Sequence, residues 1–98
     1  MFLETELQKI DREYFRVIDT EDNVITLESK NTHHGWHIYR PGFWNYHGAP
    51  IIIFHRHENQ SEYHRHATSQ SLSQALRLIR RHDSYQINVR WGGRSFTD

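Results

Sequence analysis

Leu72, Ala75, Leu76 and Ile79 stand at i, i+3, i+4 and i+7, the spacing that lines one face of an α-helix. Ser71, followed three residues later by Gln74, fits a capping box at the head of that stripe. An amphipathic helix over about 71–82 follows. One such helix cannot bury its stripe alone, so the rest of the chain must offer it an apolar face.

That face is expected to be a sheet. Residues 13–19 and 23–29 read as two strands, because Val24, Ile25, Thr26 and Leu27 are mostly β-branched and Phe15 and Val17 alternate with Tyr14, Arg16 and Ile18. The polar run Thr20-Glu21-Asp22-Asn23 between them reads as a hairpin turn. A third strand covers about 35–40 and ends at Pro41-Gly42, a pair suited to a turn. Residues 43–50 read as a ring-rich loop, 51–57 as the strongest strand, and 62–67 as a strand after a polar turn. Tyr85, Ile87, Val89 and Trp91 alternate with polar residues, which predicts a last strand. Leu3, Leu7 and Ile10 share one face of a short helix over 2–10. The expected architecture is α+β: a mainly antiparallel sheet of about five or six strands, the 71–82 helix packed on one face, and a short N-terminal helix. Ninety-eight residues suit one domain, 1–98.

Composition narrows the chemistry. With no cysteine, disulfides, thiolate metal sites and cysteine nucleophiles are excluded. No apolar run approaches the roughly 18 residues of a membrane span, and Met1-Phe2-Leu3-Glu4 does not begin a signal peptide. No membrane and a cytoplasmic location are the expectation. Net charge is zero, but residues 1–30 carry eight acids against four bases, and 31–98 four acids against eight arginines. Near-zero net charge at pH 7 favours self-association, so a homo-oligomer is admitted. No phosphate-cradling glycine loop, G-x-S-x-G or dinucleotide fingerprint is present, and no residue is selected for catalysis.

Two surfaces could carry function. The first is aromatic and basic. From Trp36 to His47, seven of twelve residues are aromatic or histidine. Trp44 and Tyr46 beside Arg40 suit a protein anchor or a stack of unpaired bases. Arg77, Arg80 and Arg81 form one basic edge of the helix, suited to phosphates or an acidic protein. The favoured reading is a non-enzymatic binding module that acts through Arg40, Trp44, Tyr46, Arg77, Arg80 and Arg81. A protein partner is slightly favoured over nucleic acid, because net charge is zero. The bland alternatives are rings that cap the core and a solvated helix face.

The second is the histidine hairpin. Nine histidines are the most unusual feature of the composition. His55-Arg56-His57 and His64-Arg65-His66 flank a turn, and on a strand i and i+2 share a face. A turn of two or four residues puts all four imidazoles and Glu62 on one face; a turn of three splits the pairs. His55, His57, Glu62, His64 and His66 are ligand types for Zn²⁺, Fe²⁺, Mn²⁺ or Ni²⁺. The alternative function is therefore a histidine-rich metal-binding protein or a small metal-dependent enzyme. The competing structural reading is an edge hairpin kept polar against pairing. His55-x-His57 with Glu62 resembles the first metal motif of the cupin family, H-x-H-x(3–4)-E. The match spans about eight residues. Gly48 is one position out, no glycine follows Glu62, a helix follows where a strand belongs, and no second motif is found. The cupin assignment is not adopted.

Overall fold

A computed structural model describes residues 2–41, 51–57 and 62–87. The expected turn at 58–61, the loop at 43–50, and Val89 and Trp91 lie outside the described residues. The elements are α1 (Glu4–Leu7), β1 (Phe15–Thr20), β2 (Val24–Ser29), β3 (Gly35–Tyr39), β4 (Ile51–Arg56), β5 (His64–Ser69) and α2 (Leu72–Ile87). The strands form one sheet in the order β1-β2-β3-β4-β5, every neighbour antiparallel. The α+β architecture is as expected.

Register explains the core. Ile25 pairs with Ile38, and Ile38 with Ile53. Leu27 pairs with Trp36, and Trp36 with His55. These inward rows are buried, because alternate residues of a strand share a face. Leu72, Ala75, Leu76 and Ile79 of α2 complete the same core. At the start of α2 the Ser71 hydroxyl accepts the Gln74 N–H at 3.1 Å. The Gln74 side chain reaches back to the N–H of Gln70 at 2.7 Å, one residue earlier than in a standard capping box.

Two expectations are corrected. Tyr85 and Ile87 are not strand residues: α2 runs on to Ile87, and Tyr85 stands 61% exposed. No glycine or proline interrupts 72–87, so nothing stops the helix there, and the alternation read from Tyr85 to Trp91 does not exclude a helix over its first residues. The N-terminal helix shrinks to four residues. Ile10 and Phe2 enter the core, whereas Leu3 is exposed.

Among the described residues, two bulges adjust the sheet. One lies between Val17 and Asp19 of β1. In the other, Ile53 faces Ala67 but Phe54 faces Arg65, which leaves His66 as the extra residue of β5. A bulge re-aims side chains at a sheet edge. Here it lets His64 and His66 share a face with Ala67, which packs against the core.

Candidate metal centre

The inward rows change character along the strands. Ile25, Ile38, Ile51 and Ile53 share one buried cluster with Leu72, Ala75, Leu76 and Ile79 of α2. Farther along, the same face carries Trp36, His34, His55 and His57, opposite the last turns of the helix. There the stripe continues past Ile79 into His82 and Asp83, three and four residues on, and Asp83 is fully buried. Apolar residues of the helix thus face apolar residues of the sheet, and polar face polar.

Of the eight histidines among the described residues, six meet at that end: His34, His55, His57, His64, His66 and His82. His55 lies at their centre and is 2% exposed. Its ring centroid is 4.8 Å from His34, 4.6 Å from His57, 5.2 Å from His64, 5.3 Å from His66 and 4.7 Å from His82. Trp36 stacks on His55 at 4.4 Å and 27°, held by an Nε1–H bond to the Ser29 hydroxyl at 3.0 Å. His37 sits on the opposite face, stacked on Tyr63 at 3.7 Å, and His33 is exposed beside Glu28.

Burial, more than neighbouring charge, favours the neutral form of His55, His66 and His82. It pushes His55 down to about 2, with His82 and His34 adding to the effect. His66 and His82 are lowered too, first by burial and then by a neighbouring imidazole. A neutral imidazole retains the lone pair that a metal needs. His55 Nε2 and His34 Nδ1 lie 2.8 Å apart and share one hydrogen bond. The His82 Nδ1 is buried without a hydrogen-bond partner among the described residues.

Among the described residues, three groups bring ligand atoms within 4.8 Å of one another: His34, His55 and His57; His55, His66 and His82; and His34, His82 and Asp83. Ions with bonds of about 2.0–2.1 Å hold tetrahedral nitrogens about 3.3 Å apart. The 2.8 Å contact is too short for that, so His34 suits a partner that orients His55 better than a co-ligand on the same ion. His55, His66 and His82 come from β4, the β5 bulge and α2. They combine a buried ring, an exposed ring and a half-buried ring, which leaves one side toward solvent.

The four histidines expected to act together, His55, His57, His64 and His66, do share this cluster. Glu62 is exposed and belongs to none of the three groups. His34, His82 and Asp83 were not expected. Their signal was parity: His34 is in phase with Trp36, and His82 and Asp83 continue the helix stripe. The aromatic and basic set is more dispersed. Arg40 grips Glu6 through two bonds of 2.8 and 2.7 Å and lies over the Phe2 ring. Arg80 lies over the Tyr14 ring at 4.3 Å and 3.7 Å from Asp11. Arg77 and Arg81 are exposed, and Trp44 and Tyr46 lie outside the described residues. Among the described residues, no helix is long and apolar enough to cross a membrane. No protein-family model, curated protein or solved structure matches this chain.

Proposed function

We propose that this protein binds a divalent transition-metal ion between the sheet and the last turns of α2, with His55, His66 and His82 as ligands. One observation carries the reading: imidazoles from β4, β5 and α2 converge around His55, which burial keeps neutral. Buried polar rings are costly unless they are bonded to something, and three imidazoles form a donor set for Zn²⁺, Ni²⁺ or Fe²⁺. Three protein ligands leave a fourth position for water, the arrangement that makes a hydroxide nucleophile near neutral pH. Metal-dependent hydrolysis is the chemistry this donor set would support.

The test is metal analysis and calorimetric titration of tag-free protein. About one equivalent of Zn²⁺ or Ni²⁺ and a raised melting temperature are expected, both diminished in His66→Ala. Less than about a tenth of an equivalent after loading, with no gain in melting temperature, would end the proposal. A second reading, a helix face that contacts a macromolecule, is favoured by the exposure of Arg77 and Arg81. It expects binding to random single-stranded RNA that weakens with salt and in the double alanine variant.

A further inference from the structure

Asp83 is fully buried. Its Oδ2 accepts the Tyr14 hydroxyl at 2.7 Å, and its Oδ1 accepts the Thr32 hydroxyl at 3.0 Å. Both donors are neutral, and Asp83 enters no ion pair among the described residues. A carboxylate withdrawn from water without a positive partner is costly. On its other side stand His34 and His82, whose ligand atoms and its own lie within 4.8 Å of one another. The buried His82 Nδ1 has no hydrogen-bond partner among the described residues. A buried carboxylate and an imidazole that has one nitrogen without a hydrogen bond therefore lie close together, and a cation would serve both.

We infer that the cluster has a second, inner cation position, formed by His34, His82 and Asp83. The inference rests on the metal-binding reading above and adds a donor set of different chemistry, two imidazoles and one carboxylate. Tyr14 and Thr32 each occupy one lone pair of a carboxylate oxygen and leave others for the ion. They hold the carboxylate as hydrogen-bonded outer partners hold metal-ligating carboxylates elsewhere. Both positions need His82, and a neutral imidazole offers a single lone pair. The two positions are therefore alternatives for one ion. Metal chemistry chooses between them: the three-imidazole position suits Ni²⁺ and Zn²⁺, and the carboxylate-bearing position suits Mn²⁺.

Mn²⁺ and Ni²⁺ are titrated separately into chelator-stripped full-length protein, His66→Ala and Asp83→Asn, with circular dichroism confirming the fold. Asp83→Asn is expected to weaken Mn²⁺ about tenfold or more and to change Ni²⁺ by less than about threefold; His66→Ala does the reverse. In the wild-type protein the two metals displace one another and together fill one position. The inference is overturned if folded Asp83→Asn keeps its Mn²⁺ affinity, or if both metals bind at once. Should Asp83→Asn not fold, His66→Ala decides, because equal loss of Mn²⁺ and Ni²⁺ there leaves no inner position. A wild-type protein that binds neither metal removes the metal-binding reading itself. Ni²⁺ binding without any Mn²⁺ binding removes the inner position alone.

Discussion

Replacing Tyr14 with Phe takes away one oxygen and keeps the ring that packs against Phe15 at 4.6 Å. The lost group donates to Asp83, which is fully buried. A hydrogen bond to a charged, buried acceptor contributes about 1.5–3 kcal/mol. The ionisation of Tyr14 adds a pH dependence. Burial first, and then the bond to Asp83, raise its hydroxyl from 10.0 to about 12. Burial is the larger of the two causes, so the bond accounts for only part of that rise. The sign follows from linkage. A folded-state value above the unfolded one means that the stabilisation is complete below pH 10.0 and is lost as pH rises toward 12. Urea unfolding of metal-stripped protein at pH 7.5 should show Tyr14→Phe weaker by about 2 kcal/mol, a fall of about 1 M or more in midpoint. The gap between the two proteins should narrow between pH 10.0 and 12. In an Asp83→Asn background the same replacement should cost under about 1.5 kcal/mol, as for a bond between neutral groups. A wild-type loss below about 0.5 kcal/mol, or a gap that does not narrow in alkali, would refute a charged and dry Asp83.

Other outcomes follow from the packing and the ion pairs. Ile79→Ala, at a fully buried position, should cost about 2–5 kcal/mol in urea unfolding, whereas Ile18→Ala at a 46% exposed position should cost under about 0.5 kcal/mol. The Arg40 guanidinium holds Glu6 down from 4.5 to about 2. That stabilisation is present above pH 4.5 and is lost as pH falls toward 2; with both side chains about a fifth exposed, it is about 1 kcal/mol and should be missing from Glu6→Gln. In metal-stripped protein, burial and the adjacent imidazoles depress His55 from 6.5 to about 2. The unfolded chain then takes up the proton first, so stability should fall by up to about 1.4 kcal/mol per pH unit as pH drops below 6.5. Equal unfolding midpoints at pH 7.5 and 5.5 would contradict this.

Much of the fold was legible because it rests on local periodicity. The stripe from Leu72 to Ile79 called for a helix and for a sheet beneath it. β-Branched runs and polar turns marked β1, β2 and β4. The false strand at Tyr85 and Ile87 arose where a short alternation was compatible with either period, and the uninterrupted helix resolved it. The helix stripe was also read too narrowly. Its apolar members end at Ile79, but the geometry continues without regard to polarity, and the next inward positions are His82 and Asp83.

By itself the sequence determined which residue types could share a face: His55 with His57, His64 with His66, and Leu72 with Ile79. It could not say which faces meet. A bulge opposite Ile53 and Phe54 set the phase of His66, and antiparallel register placed Trp36 beside His55. The course of α2 across the sheet brought His82 and Asp83 to His34 and Tyr14, partners 48 to 69 residues away. The physical reason is one of range. Periodicity follows from the dihedral angles of successive residues and is written locally, whereas register and helix placement follow from burying a common core. The histidine cluster owes its existence to that second, long-range condition.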